Sequence, residues 1–169
     1  MLGRPCARCT TSAASNPVSY THLDVYKRQD VRRVSAIRAL LGDRLILFIG
    51  VDDAILEGIG VGATGWIAGL ANALPRESVD LFHYSMEGKS AQAFELYRWF
   101  LPLLRLDTVP KFIQLIKLVQ QELGIGNARV RAPKLELVGE ELEATRKIIR
   151  HAMQNRPKNA SSALAHAAR

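Results

Sequence analysis

Two adjacent carboxylates, Asp52 and Asp53, stand just past the apolar run Leu45-Ile46-Leu47-Phe48-Ile49-Gly50. Carboxylates there accept hydrogen bonds, and the nearest free donors are the first amides of the next helix, so either Asp is read as its N-cap. A lysine amine becomes a nucleophile only where burial or a neighbouring charge lowers its proton affinity. Lys89, Lys111, Lys117, Lys134, Lys147 and Lys158 all fall in predicted helices or loops and read as solvated surface groups. His83 and His151 have no matching histidine or cysteine at i+3 or i+4, so neither is read as a ligand. Cys6 and Cys9 have Cys-x-x-Cys spacing, but a redox or zinc role needs a βαβ context or a second ligand pair, and the sequence offers neither. Tyr97, Trp99 and Phe100 cluster in one predicted helix and read as packing. No Gly-rich phosphate loop follows a strand, and no cofactor or metal is expected.

The 169 residues suffice for one domain. The thirteen residues Pro17 to Gln29 coincide one for one with the translation of a tagmentation transposon end joined to its reverse complement. Residues 1–29 are therefore read as an assembly artefact, expected to be disordered and set aside from fold reasoning. Lys27 falls in this segment and receives no role. Residues 30–155 are read as the informative domain, and 156–169, poor in core residues, as a disordered tail. Of the net charge of +7, the leader's Arg4, Arg8, Lys27 and Arg28 against Asp24 account for +3. The remaining +4 is spread along helices and does not form a nucleic-acid footprint. Residues 30–169 hold no cysteine, which suits a reducing cytoplasm. No run of about 18 apolar residues spans a membrane.

The patterning predicts a helix over Asp30–Gly42, with Val34, Ile37, Leu40 and Leu41 on one face. Leu45–Ile49 reads as a strand buried on both faces, Ala54–Val61 as a short helix, and Gly65–Gly69 as a second buried strand. A helix opens at Pro75, reaches Met86, and stops at Gly88. Longer helices are predicted over Ser90–Leu104, bent or divided by Pro102, over Val109–Leu123 with Thr108 as N-cap, and over Glu140–Met153. Gly124–Val138 reads as irregular. Alternating strands and helices imply an α/β fold with a parallel sheet.

Three stretches then agree in order and spacing. They are Arg33-Val34 through Gly42-Asp43, Phe48-Ile49-Gly50-Val51-Asp52-Asp53, and Gly62-Ala63-Thr64-Gly65-Trp66-Ile67-Ala68-Gly69-Leu70-Ala71-Asn72. Together they resemble the dihydrodipicolinate synthase / N-acetylneuraminate lyase family, with an ungapped step of fifteen residues from Gly50 to Gly65. The resemblance covers nearly all of residues 30–155. It implies the C-terminal part of a (β/α)8 TIM barrel, its last two strands, plus C-terminal helices, where a whole barrel takes about 250 residues.

The family resemblance also implies class I chemistry, in which a lysine on the sixth strand forms a Schiff base with pyruvate or another 2-oxo acid and a tyrosine relays protons. Both residues, with the carboxylate-binding hydroxyls, would precede Asp30, so no catalytic residue is assigned here. Substrate-binding positions implied for this chain are Gly50, Asp52, Asp53, Ile67 and Gly69. Gly50 would bring backbone to the substrate. Gly50-Val51-Asp52-Asp53 is closer to the Gly-x-Asp-Glu of sialic acid lyases than to the frequent Gly-Asp-Asp, so Asp52 and Asp53 either bind substrate hydroxyls or cap a helix. Ile67 either packs beside the Schiff base or fills barrel core. Gly69 aligns with a substrate-binding serine of sialic acid lyases and argues against that substrate. Asn72 would fix its loop. The Tyr97–Leu104 stretch looks closer to sugar-acid dehydratases and hydroxypyrroline-carboxylate deaminases. The expectation is a small 2-oxo acid substrate, a homotetrameric whole enzyme, and no nucleic-acid or membrane partner. The rival readings are a non-catalytic remnant and a helical interaction module over residues 90–153.

Overall fold

The computed structural model describes residues 30–157. The readings of the leader, Cys6, Cys9, Lys27 and the tail beyond Pro157 lie outside the described residues. Helix α1 (Arg32–Leu41) leads through a 3-10 turn at Gly42–Arg44 to strand β1 (Phe48–Ile49). A second 3-10 turn, Asp52–Ala54, opens α2 (Ile55–Gly60), and β2 (Gly65–Trp66) follows. After the turn Leu70–Asn72 come α3 (Pro75–Met86), α4 (Ser90–Leu104), the turn Arg105–Thr108, α5 (Phe112–Glu122) and α6 (Gly139–Gln154).

The strands pair in parallel, Phe48 opposite Gly65 and Ile49 opposite Trp66. The ladder is closed by Thr64 N–H donating to Leu47 O at 2.9 Å and Ile67 N–H donating to Ile49 O at 2.8 Å. Both strands are shorter than their apolar runs predict. The expectation of burial on both faces fails for β1: Ile46 is 75% exposed and Phe48 55%. Its other face is covered, because Ile49 packs onto α2 at Gly58, where a Cβ would collide with the Ile49 side chain. Leu45 is also exposed, at 48%. Helix α1 shows the same one-sidedness. It contributes no fully buried residue, Leu40 is 83% exposed, and Arg38 ties the helix down by donating to Gly62 O at 2.9 Å.

The core lies instead between the two strands and the four helices that follow β2. Leu70, Leu81, Phe100, Leu103, Leu104, Leu118, Val119 and Ile149 are fully or almost fully removed from solvent. Full burial of a Leu, Val or Phe side chain contributes about 1.5–3 kcal/mol, so these helices dominate the stability. Helix α3 begins at Pro75, where a missing N–H is harmless. It ends at Gly88, whose φ of +69° is a left-handed turn that a side chain would resist. Pro102 neither divides nor ends α4, which runs unbroken to Leu104. Proline removes one hydrogen bond near the helix end, and the complete burial of Leu103 and Leu104 holds the last turn in place. Thr108 does not cap α5: its hydroxyl donates back to Arg105 O at 2.9 Å, closing the turn before Pro110. Residues 124–138 form no regular element. They are pinned by Gln114 Nε2 donating to Leu135 O at 3.1 Å and Gln121 Oε1 accepting from Ala128 N–H at 2.9 Å.

Arg156, read from the sequence as tail, is anchored. Its guanidinium Nε donates to Glu77 Oε1 at 2.6 Å, with a second ion-pair contact to the same oxygen. No helix among the described residues is long and apolar enough to cross a membrane.

Candidate functional site

The C-terminal ends of β1 and β2 lie side by side, and the chemistry-bearing residues gather there. Gly50 follows Ile49 directly, and Ile67 is tied to Ile49 by the last rung of the ladder. Asp52 holds this end of the sheet together. It is fully buried and accepts three hydrogen bonds: from Trp66 Nε1 at 3.2 Å, Gly69 N–H at 3.1 Å and Leu70 N–H at 2.7 Å. The loop after β1 thus clamps the loop after β2. Burial pushes the Asp52 carboxyl above its ordinary range, against the pull of the three donors.

This corrects the helix-cap reading. No side-chain capping bond forms at Val51 or at Ala54, the residues preceding the 3-10 turn and α2. An N-cap serves its own helix, whereas Asp52 serves amides seventeen and eighteen residues downstream. It is saturated by protein donors and offers little to a substrate. Asp53 is half-buried, and its side chain makes no hydrogen bond among the described residues. Burial raises its proton affinity, opposed by the Arg105 cation and reinforced by Glu57. Of the two adjacent carboxylates, only Asp53 faces an open space. That hollow of about 530 Å³ is bordered also by Val31, Glu57, Arg105 and Thr108.

Ile67 is 65% exposed at the open end of β2. Gly69 is constrained from the opposite side. A Cβ there would collide with the Asp107 carboxylate and press on Ile116 Cδ1 at 3.0 Å. The bare Cα leaves room for the Asp107 carboxylate, which the turn Arg105–Thr108 brings against this loop. Asn72 does fix this loop: its Nδ2 donates to Gly69 O at 2.9 Å and its carbonyl accepts from Gln120 Nε2 at 2.9 Å.

Tyr97 and Asp107 were not singled out for the site by sequence reasoning. The Tyr97 hydroxyl crosses from α4 to donate to Asp53 O at 2.6 Å and lies 3.3 Å from Glu57 Oε1. Burial, and then the Glu57 charge, push this phenol up to about 12. It is a fixed hydrogen-bond donor that props the Asp53 loop. Asp107 is raised to about 7, first by burial and then by the Asp52 carboxylate. Both residues lie more than forty positions from Asp53 in the chain, and periodicity marks one as packing and the other as turn. Trp99 and Phe100 do pack as expected: their rings stack with centroids 5.2 Å apart.

Residues 27–152 match the Dihydrodipicolinate synthetase family. The 4-hydroxy-tetrahydrodipicolinate synthase of Clostridium tetani is 34% identical over 67 residues, 40% of this chain and 23% of that protein. The enzyme of the same name from Caldicellulosiruptor saccharolyticus is 28% identical over 120 residues, 71% of this chain and 40% of that protein. Among solved structures, dihydrodipicolinate synthase from Aquifex aeolicus superposes with a TM-score of 0.66 at 24% identity, covering 73% of this chain and 42% of that one. The chain thus spans well under half the length of these relatives. The family match covers most of the chain, so the chain belongs to the dihydrodipicolinate synthetase family.

Proposed function

We propose that this chain is the C-terminal part of a lyase or synthase that binds pyruvate or another 2-oxo acid as a Schiff base. In this reading β1 and β2 are the seventh and eighth strands of the barrel. The observation that carries it is the juxtaposition of Gly50 and Ile67 at the C-terminal ends of two parallel strands, the end where barrel enzymes place their chemistry. Gly50 brings bare backbone to the substrate and Ile67 supplies an apolar wall. Asp52 acts indirectly, holding the two strand-end loops in register.

The reaction joins a lysine amine to the substrate's carbonyl carbon with loss of water, and the resulting iminium withdraws electrons from the neighbouring carbon. Among the described residues no lysine stands at a strand end: Lys89, Lys111, Lys117, Lys134 and Lys147 lie on helices, at their caps or in loops. In this reading the nucleophile belongs to barrel sequence outside residues 1–169, and this chain by itself is catalytically silent. The intact enzyme is a cytoplasmic homotetramer in this reading. A second reading, a deaminase or dehydratase for a hydroxylated 2-oxo acid or pyrroline carboxylate, is favoured by Asp53, whose free carboxylate borders the open hollow and can accept from a substrate hydroxyl.

Treatment with pyruvate and sodium borohydride, followed by intact mass and peptide mapping, tests the proposal. The chain as it stands is expected to gain no adduct. The protein extended by the gene's own upstream sequence, recovered by long reads across the Gln29–Asp30 boundary, is expected to gain one pyruvate-derived adduct on a lysine before Asp30. An adduct on a lysine of residues 30–157 overturns the placement of the nucleophile, and an extended protein that cannot be trapped overturns the Schiff-base reading.

A further inference from the structure

On the side of the helices, away from the strand ends, α4 and α6 enclose a cleft of about 500 Å³. Its floor is apolar: Trp99 and Pro102 come from α4, and Ile148 from α6. The floor is also fixed, because Trp99 Nε1 donates to Ala152 O at 2.7 Å across the two helices and the indole stacks on the fully buried Phe100. The rim carries Arg98, Lys147 and His151, and no carboxylate lines the cleft. None of these three makes an ion pair with a described residue. The nearby Glu143 is engaged by Arg146 at 2.9 Å and lies 3.5 Å from Arg150. The cleft is thus a rigid apolar slot with cationic and N–H donor groups at its mouth, in the size range of small-molecule sites.

We propose that this cleft binds a small organic anion whose carboxylate is carried on an aromatic or branched apolar frame. The frame lies against Trp99, Pro102 and Ile148. The carboxylate meets Arg98 and Lys147, a charge-assisted pairing stronger than a neutral hydrogen bond. An acidic group is required because every charged group at the mouth is cationic or an N–H donor. An apolar body is required because a bare inorganic anion would leave the floor unfilled. The chain's own C-terminal segment is a poor occupant, since its charged residues Arg156, Lys158 and Arg169 are all basic.

The probe is 2-naphthoate, titrated into the full chain with the two indole N–H resonances of Trp66 and Trp99 followed by nitrogen–proton correlation spectra. A Trp99→Phe variant assigns the signals. The expected result is a saturable shift of the Trp99 resonance with a Kd below about 1 mM. Neutral 2-naphthalenemethanol should bind at least about tenfold more weakly. The exposed double substitution Arg98→Glu/Lys147→Glu should weaken naphthoate binding by at least about tenfold while leaving the circular dichroism spectrum unchanged. No saturable shift, equal affinity for the neutral compound, or binding that survives the double substitution each overturns the proposal. So does a Trp66 shift with the same concentration dependence, which would mark general association with the apolar strand edge.

Discussion

Asp52 is the residue on which the candidate site turns. Its carboxylate accepts from two backbone amides and an indole inside a buried volume, so truncation strands three donors away from water. Asp52→Ala is expected to cost about 3–5 kcal/mol of stability, the upper range for breaking a buried network. Urea unfolding measures the loss. Amide exchange locates it: Gly69 and Leu70 should lose protection, while Ile67, bonded to Ile49 O, should keep it. Asp107 behaves oppositely. Its carboxyl is held up to about 7 by burial and the Asp52 charge, so the folded state keeps a proton that the unfolded chain releases near pH 4. The penalty for ionising it in the fold grows between about pH 4 and pH 7 and is fully present above that. Asp107→Asn should therefore stabilise the chain more at pH 8 than at pH 5. Solvent screening at this half-buried position holds the gain to about 1–2 kcal/mol. Equal gains at both pH values would refute the linkage.

At the scale of elements, the helical half is locked by contacts that cross it. Glu77, in the first turn of α3, is almost completely buried, and its Oε2 has no hydrogen-bond partner. Arg156, just past α6, engages Oε1, so the end of the described chain is fastened beneath α3. Removing the cation leaves a buried charge without compensation, and Arg156→Ala should cost about 2–4 kcal/mol. Replacing both partners by leucine should cost less than removing Arg156 alone, because no charge is then left in the interior. Chemical denaturation of the single and double variants separates these outcomes. The strands are locked more thinly, by one short parallel ladder and by the Asp52 clamp. Helix α1 is held chiefly by Arg38 reaching Gly62 O, with Val34 as its contact to the core.

Across the whole molecule the apolar surface is uneven. Leu40, Leu45, Ile46, Phe48 and Ile67 are exposed along α1 and the two strands, and beyond β2 Phe94, Ile125, Leu135 and Val138 are exposed as well. An open strand edge flanked by exposed apolar side chains invites pairing with another chain. The chain is expected to self-associate with rising concentration in sedimentation velocity. Ile46→Lys/Ile67→Lys should shift it toward monomer without loss of helical signal. Element order and the positions of α3 and α4 were legible in the sequence, because proline, glycine and apolar periodicity act through neighbouring residues. Family membership was legible too, from short motifs in fixed order. Only the tertiary structure decided that Asp52 clamps a distant loop rather than capping its own helix, and that the Asp107 carboxylate lies against Gly69. It likewise decided that Tyr97 props the Asp53 loop, and that β1 is covered on one face alone. Each of these depends on groups brought together from far along the chain, and local sequence pattern carries no record of such distances.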